Sequence, residues 1–229
     1  MDLKKDLQNL ASQSRTSQPD ITKSFDQSID DLSRSGVATR ALGIGNQAPD
    51  FELPSCKGSR VRLSDRLATG PVVISFYRGA WCPFCTLEIQ ALGESVKTIE
   101  DLGASLLAIS PQSLEAACKT AEDNGIPFDL LSDERNDVAR EFGIVFHLQD
   151  EIQSIYKEFG LDLALVNGMT ASTFRSPPLT SWMEMAQSGS PLSIPITRDA
   201  STHLKSSIHF VNCATQGRKV NHLSLVNGH

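Results

Sequence analysis

The chain has 229 residues, a net charge of −6 and a hydrophobic content of 40%, which is typical of a soluble globular protein with one sizeable core. The acidic balance argues against a nucleic-acid partner, which would favour a basic face. The apolar runs are too short to span a bilayer, and the N-terminus lacks the apolar region of a signal peptide. We therefore expect a cytoplasmic protein without a membrane partner.

Residues 1–42 predict an N-terminal helical extension. Leu3, Leu7 and Leu10 recur at spacings of three and four residues, and Pro19 separates them from a second stretch with the same rhythm. The pattern indicates two amphipathic helices. We expect them to serve as a packing extension or as the contact of a homodimer.

Residues 43–168 alternate between short apolar runs and segments with helical periodicity. The runs are almost continuously apolar, as expected of strands buried on both faces, and they cover residues 71–77, 104–110 and 128–133. Helical patterns follow each of them. Strands that alternate with helices predict βαβ units, a largely parallel sheet and an α/β fold.

Residues 169–229 differ in composition from the rest of the chain. They are rich in Ser, Thr and Pro, and they show no sustained strand or helix periodicity. Pro177, Pro178, Pro191 and Pro195 exclude most regular structure there. We expect an irregular, disordered C-terminal tail.

The five cysteines occupy positions 56, 82, 85, 118 and 213. An odd number without regular spacing argues against a disulfide framework in a reducing compartment. A zinc site needs about four ligands, and no second close pair of Cys or His accompanies Cys82 and Cys85. We therefore expect no metal and no other cofactor, and we interpret the two close cysteines as a redox pair.

Cys82 and Cys85 follow the buried run 71–77 and begin the next helical segment. A helix N-terminus carries unsatisfied N–H groups and a partial positive charge, and both stabilise a thiolate. Arg78, four residues before Cys82, can add a full positive charge to this partial one. With two residues between them, the sulfurs meet on one helical turn and can close a disulfide. The alternative is a pair of inert, buried cysteines that pack as small hydrophobes.

Several ordered stretches resemble one family. They are "GNQAPDFELP", "VVISFYRGAWCPFCTLEIQAL", "GASLLAISPQS", "FDLLSDERNDVAREFGI" and "VNG". Residues 43–168 are similar to the peroxiredoxin-like proteins of the alkyl hydroperoxide reductase/thiol-specific antioxidant superfamily, in a subgroup with a thioredoxin-like Cys-X-X-Cys. The resemblance implies a thioredoxin fold and a thiol-dependent peroxidase that acts on hydrogen peroxide or organic hydroperoxides.

The resemblance also implies roles for individual residues. Ordinary members carry Pro-X-X-X-Thr-X-X-Cys, and the last Cys attacks the peroxide. On this chain the attacking position falls on Cys85, the Thr on Cys82 and the Pro on Arg78, so two of the three side chains are replaced. In a peroxiredoxin mechanism Cys85 becomes a sulfenic acid, Cys82 resolves it, and a thioredoxin- or glutathione-type reductant restores both thiols.

Two other functions stay open at this stage. In a thioredoxin-like disulfide oxidoreductase the more exposed first thiol, Cys82, would attack the substrate and Cys85 would resolve the mixed disulfide. In an inactive paralogue the altered C-terminus would prevent folding, and neither thiol would turn over. Serine variants of the two cysteines separate these functions, because the peroxiredoxin mechanism predicts that Cys85→Ser abolishes peroxide consumption.

Neighbouring residues are supporting candidates. Trp81, Pro83 and Phe84 flank the thiols and are expected to cover one side of them or to pack as core. Glu88 lies one turn beyond Cys85, as a proton relay or, more commonly, as a solvated carboxylate. Further cysteines are weaker candidates: a distant resolving thiol in a turn (Cys56), a core residue (Cys118) and a tail residue (Cys213).

The tail departs from the family after Gly168. Members typically continue with a turn, a Pro-X-Pro-Ala-Thr-Tyr-Val strand and a hairpin, and none of these is found here. Back-translation of residues 169–200, read one base earlier, admits a string with that pattern. We therefore interpret the tail as a frame-shifted reading of a normal C-terminus, with a divergent or alternatively spliced tail as the alternative.

Overall fold

The computed structural model describes residues 1–36, 40–43 and 45–167, together with the backbone of residues 207–211. Within these residues the elements are, in chain order, α1 (Leu3–Ser17), α2 (Pro19–Arg34), β1 (Glu52–Pro54), β2 (Arg60–Arg62), α3 (Leu63–Thr69), β3 (Val72–Phe76), α4 (Pro83–Asp101), β4 (Ser105–Ser110), α5 (Leu114–Asp123), β5 (Asp129–Ser132), α6 (Asp137–Glu141), α7 (Asp150–Glu158), α8 (Leu163–Val166) and β6 (Ser207–Val211).

The central sheet has the strand order β5-β4-β3-β6. β3, β4 and β5 are parallel, whereas β6 runs antiparallel to β3. The three parallel strands coincide with the three predicted apolar runs to within one or two residues at each end. The predicted α/β class is confirmed.

The side chains of β3 alternate between two hydrophobic clusters. Val72, Ile74 and Phe76 face one cluster, which also contains residues of β1, β2 and α6. Val73 and Tyr77 face the other cluster, which α4 covers together with both cysteines of the Cys-X-X-Cys. This alternation is the two-residue period of a strand, and it explains why β3 reads as apolar throughout. The thiol pair therefore lies against a buried sheet face.

The N-terminal helices pack on two different elements. α1 contacts α4, where the amino group of Met1 lies 2.8 Å from a carboxylate oxygen of Glu94. α2 contacts α7, and the Ser24 hydroxyl donates a hydrogen bond of 3.0 Å to Glu151. Both helices lie where the leucine spacing predicts them. The boundaries 1–42, 43–168 and 169–229 stay a prediction about domain organisation.

The C-terminal tail contributes one strand that the composition did not predict. Residues 207–211 pair with β3 along its whole length, from Val72 opposite Val211 to Phe76 opposite Ser207. The sequence "SIHFV" contains the β-branched and aromatic residues that favour strands, and β3 offers it an unpaired edge. The rest of the predicted irregular tail lies outside the described residues. None of the helices in the described ranges has the length and apolarity needed to cross a bilayer.

Candidate redox site at the start of helix α4

The thiols sit at the junction between β3 and α4. β3 ends at Phe76, and Cys82 is the N-cap of α4. Pro83 occupies the first helical turn, where the absence of an N–H costs no hydrogen bond. Cys85 follows within the same turn, so the helix N-terminus presents its free N–H groups to the sulfur of Cys82.

The loop between strand and helix is held in a tight path. Gly79 has a φ of +138°, and a Cβ at this position would lie 2.7 Å from Nε1 of Trp81. The amide of Ala80 donates a 3.2 Å hydrogen bond to the side-chain oxygen of Gln112, which follows β4. Only glycine fits this path without displacing Trp81.

The sulfur of Cys82 accepts two hydrogen bonds from nitrogen donors. Nη2 of Arg78 lies 2.9 Å from it, and the backbone N–H of Cys85 donates to it at 3.4 Å. Cys82 is only 1% exposed, and this burial opposes ionisation. The hydrogen bond from the Cys85 side chain, the charge of Arg78 and the Cys85 amide outweigh the burial, so the pKa of Cys82 falls from 9.0 to about 6. These contacts favour the thiolate of Cys82 at neutral pH.

Cys85 behaves in the opposite way. The hydrogen bond between its side chain and Cys82 raises the pKa of Cys85 well above its ordinary value, and burial and the negative charge of Cys82 act in the same direction. Cys85 is 6% exposed. The contacts therefore favour the negative charge on Cys82 and the proton on Cys85.

Arg78 is held in place by aromatic rings. Its guanidinium carbon lies 4.9 Å from the centre of the Trp81 ring, and Nη1 donates a 3.4 Å hydrogen bond to the hydroxyl of Tyr156. Trp81 and Tyr156 meet edge to face at 5.3 Å. Arg78 is only 6% exposed, so little water screens its charge from the thiolate.

Helix α2 packs on the outer side of the group formed by Arg78, Trp81 and Tyr156. Phe25 packs edge to face on Tyr156, with ring centres 5.4 Å apart. Phe25 and Trp81 also pack against the same hydrophobic cluster, which lies under α7 and α8. The N-terminal extension therefore supports the Tyr156 ring, which contacts Arg78.

This support predicts that Phe25→Ala raises the pKa of Cys82. Loss of the Phe25 ring lets water reach Tyr156 and Arg78, and water screens the Arg78 charge. The rate of iodoacetamide alkylation against pH should then show an inflection above the value of about 6 of the parent chain. Gln27→Ala, an exposed change on the same helix, should leave the inflection in place. If the variant has a lower melting temperature but the same inflection pH of alkylation, Phe25 contributes to packing and has no effect on the pKa of Cys82.

The other predicted residues are placed as follows. Trp81 is half-buried, and its Nε1 donates a 3.3 Å hydrogen bond to Asn167. Phe84 is half-buried against the cluster of the thiols, whereas Pro83 is exposed. Glu88 is 7% exposed, so it is not the solvated helix-face carboxylate that is the commoner arrangement.

Several residues of the site carry no sequence signal. Tyr156, Phe25 and Asn167 come from distant elements, and only the folded chain brings them to the loop. Gln112 follows the strand β4, and its position after a predicted parallel strand is the one hint the sequence contains. Cys56 and Cys118 lie close to each other, and Cys213 is outside the described residues.

Comparison with known proteins decides the family. A profile described as AhpC/TSA family matches residues 44–174, which is more than half of the chain. The chain belongs to the AhpC/TSA family. Peroxiredoxin Bcp of Bacillus subtilis is 32% identical to it over 133 residues, which cover 58% of this chain and 77% of that protein. The family resemblance predicted from the motifs is confirmed.

Two further AhpC/TSA comparisons cover a shorter part of the chain. Peroxiredoxin Bcp of Escherichia coli K12 is 34% identical over 103 residues, or 45% of this chain and 65% of that protein. The crystal structure of peroxidoxin BcpB from Mycobacterium tuberculosis aligns with a TM-score of 0.43 at 38% identity, over 45% of this chain and 68% of the other. The chain thus spans about two thirds of these relatives.

Proposed function

We propose that the chain is a thiol-dependent peroxidase that works through Cys82 and Cys85. The observation that carries the proposal is the buried contact of 2.9 Å between Arg78 and the sulfur of Cys82, beside a protonated Cys85 in the same helical turn. A thiolate is the nucleophile in peroxide reduction, and a neighbouring thiol is what resolves the product. The relatives of the chain that are named peroxiredoxins support the same activity.

The protonation order suggests the sequence of steps. The Cys82 thiolate attacks one peroxide oxygen, the O–O bond breaks, and the electron pair leaves on the other oxygen. The proton of Cys85 passes to that leaving oxygen, so an alcohol or water departs and Cys85 becomes a thiolate. Cys85 then attacks the sulfenic acid of Cys82, and the hydroxide that is expelled takes a proton from solvent. The products are a Cys82–Cys85 disulfide and water.

This order differs from the one that the family pattern implies. The pattern places the attacking sulfur at Cys85, with a Thr hydroxyl at position 82. Here position 82 carries a thiol, and position 78 carries an arginine that binds it. We therefore assign attack to Cys82 and resolution to Cys85, with Arg78 stabilising the thiolate and Trp81 covering the arginine.

Burial favours a small oxidant over a protein disulfide. Cys82 is 1% exposed, so a bulky disulfide would have to displace the loop from Arg78 to Trp81 before it reached the sulfur. A hydroperoxide has one or a few heavy atoms at its reactive end and needs less space. A thioredoxin-like disulfide reductase is therefore the weaker candidate.

The reductant, the oligomeric state and the compartment belong to the proposal too. A disulfide between Cys82 and Cys85 needs two electrons from outside, and one thioredoxin-type dithiol or two molecules of a glutathione-type thiol supply them by exchange. The odd, irregularly spaced cysteines suit a reducing compartment such as the cytoplasm. α1 and α2 are used here for packing within the chain, and a homodimer contact on their outer faces is a second role for them.

A stoichiometric assay tests the function. The fully reduced chain should consume one hydrogen peroxide for each Cys82–Cys85 disulfide formed, and catalytic turnover should begin when a dithiol is added. Cys213→Ser is the matched control and should consume peroxide at the parental rate. Reduction of insulin disulfides without peroxide consumption would instead identify a disulfide reductase. The absence of both activities would identify an inactive paralogue.

The C-terminal tail decides whether the chain is an inactive paralogue that fails to fold. The family match ends at residue 174, close to the point at which the motifs stop. A frame-shifted tail predicts broad, poorly cooperative thermal unfolding of residues 1–229, because it would replace the residues that form the last sheet strands in the family. A sharp two-state transition that is lost on deletion of residues 169–229 would show that the tail, through strand 207–211, is an integral part of the sheet.

A further inference from the structure

A second pair of thiols lies outside the candidate site. Cys56 is in the turn between β1 and β2, and its backbone N–H donates a 3.1 Å hydrogen bond to the carbonyl of Leu130 on β5. The neighbouring Ser55 forms an antiparallel bridge with Leu131. These contacts fix the turn against the edge of the central sheet, so the position of Cys56 is set by backbone hydrogen bonds on both sides.

Cys118 reaches the same place from helix α5. The thiol of Cys56 lies 4.0 Å from the carbonyl oxygen of Leu114, the first residue of that helix. Cys118 is one turn further along, on the same helix face, and helical side chains lean towards the N-terminus. This placement brings the Cys118 side chain close enough to the Cys56 thiol to raise the pKa of Cys56 after burial has done so, and both residues are half-buried.

We propose that Cys56 and Cys118 are a second redox-active dithiol, which closes a reversible disulfide between the β1–β2 turn and helix α5 when small-molecule disulfides accumulate. The thiolate of one cysteine attacks a disulfide RSSR and releases one RS⁻. The second cysteine then attacks the mixed disulfide and releases the other RS⁻. The two protons of the cysteines end on the two released thiols, so the disulfide gains the two electrons that the pair loses.

The environment of Cys56 separates this pair chemically from Cys82 and Cys85. Burial, followed by the contact with Cys118, raises the pKa of Cys56 to about 12, and the charge of Asp129 acts in the same direction. A thiol of this kind reacts slowly near neutral pH. The second dithiol is therefore oxidised after the first, when the oxidant is in excess.

Tyr77 links the two pairs electrostatically. It is the residue after β3, and burial raises its pKa, with Cys56, Cys85 and Cys118 acting in the same direction. The second dithiol thus adjoins the core of the site but uses different elements to hold its sulfurs. Its oxidation does not depend on the proposed peroxidase activity.

A chain that retains only this pair tests the proposal. The triple variant Cys82→Ser, Cys85→Ser, Cys213→Ser is incubated with oxidised glutathione, and the products are mapped by peptide mass spectrometry. We expect most of the protein to become a monomer with a Cys56–Cys118 disulfide, which has lost two hydrogens and is restored by dithiothreitol. Adding Cys118→Ser should yield one glutathione adduct on Cys56 instead.

Three results would overturn the proposal. The first is two glutathione adducts on the triple variant without an internal disulfide, and the second is a disulfide-linked dimer. The third is a map of the oxidised parental chain in which Cys118 is joined to Cys85. The parental map also covers the case in which the triple variant fails to fold, because it requires no substitution. Failure of peroxide consumption in the parental chain would reject the peroxidase function and leave the second dithiol unaffected.

Discussion

Cys82→Ala is expected to lower the rate of peroxide consumption at pH 7 by roughly tenfold or more and to abolish disulfide formation at the site. The Cys82 thiolate is lost. The contribution of Cys82 to the raised pKa of Cys85 is lost with it, but burial still raises the pKa of this remaining thiol. At a pKa of about 6 roughly nine tenths of Cys82 is ionised at pH 7, whereas an ordinary thiol is only a few per cent ionised.

Cys85→Ser is expected to give the opposite result. The backbone N–H of residue 85 and the guanidinium of Arg78 still donate to Cys82, so attack on peroxide continues. Without a resolving thiol, the sulfenic acid of Cys82 accumulates and can be trapped by a 1,3-dione and located by mass spectrometry. One peroxide is consumed per chain, and no internal disulfide forms at the site.

The choice of alanine at position 82 matters for the comparison. Serine would place a hydroxyl where ordinary family members carry a threonine, and the Arg78 charge would then act on Cys85 alone. Activity that is absent in Cys82→Ala but regained in Cys82→Ser would show that Cys85 attacks once a hydroxyl stands beside it. A sulfenic acid on Cys85 of the otherwise parental chain would contradict the assignment of attack to Cys82.

The parallel strands and the position of the thiols were predictable because they depend on local patterns. An apolar run such as 71–77 can be buried on both faces only within a covered sheet, and the chain that leaves it must turn into the next helix. Cys82 and Cys85 therefore had to lie at a helix N-terminus. The structure places Cys82 at the N-cap, and the AhpC/TSA match over residues 44–174 includes both cysteines.

The sequence does not predict which of the two thiols attacks the peroxide and which one resolves the sulfenic acid. Spacing shows that Arg78 can reach the helix N-terminus, but not which sulfur it binds. That choice depends on the 2.9 Å contact with Cys82, which in turn needs Trp81 and Tyr156 around the guanidinium. Tyr156 is 78 residues away in the chain, and the only clue to its contact is the fold itself.

The strand at residues 207–211 shows a different limit of prediction from the sequence, namely the use of average composition. The prediction followed the composition of the whole tail, with its prolines and serines, and so missed a five-residue segment in which Ile208, Phe210 and Val211 favour a strand. What makes them pair is the free edge of β3, which is a property of the sheet and not of the tail. A composition-based prediction is reliable for long segments and weak for one short strand that completes an existing sheet.

Arg78→Met is expected to move the inflection of thiol reactivity upwards from about pH 6. Methionine fills much of the same volume without a charge, so only the side chain and the amide of Cys85 still offset the burial of Cys82. In the parental chain the thiolate is present above about pH 6 and is lost as the pH falls through that value. In the variant the thiolate is lost at a higher pH, so a smaller fraction of Cys82 is ionised at pH 7.

The rate at pH 7 should fall by less than the thiolate fraction. The fraction of Cys82 that is ionised at pH 7 drops, but each thiolate of higher pKa is a stronger nucleophile, which offsets part of the loss. We expect a net decrease in peroxide consumption of roughly severalfold at pH 7 and recovery towards the parental rate as the pH rises through the new inflection. A stopped-flow series of peroxide consumption against pH measures both quantities.

Two matched variants separate charge from packing. Arg78→Lys keeps a cation but loses the planar group that stacks on Trp81 and binds Tyr156, so its inflection should fall between those of the parent and of Arg78→Met. Arg135→Met removes an exposed arginine that pairs with Asp137 and should change neither rate nor inflection. If Arg78→Met is folded and still reacts with an inflection near pH 6, the helix N-terminus and Cys85 suffice to ionise Cys82, and Arg78 has no electrostatic role in the reaction.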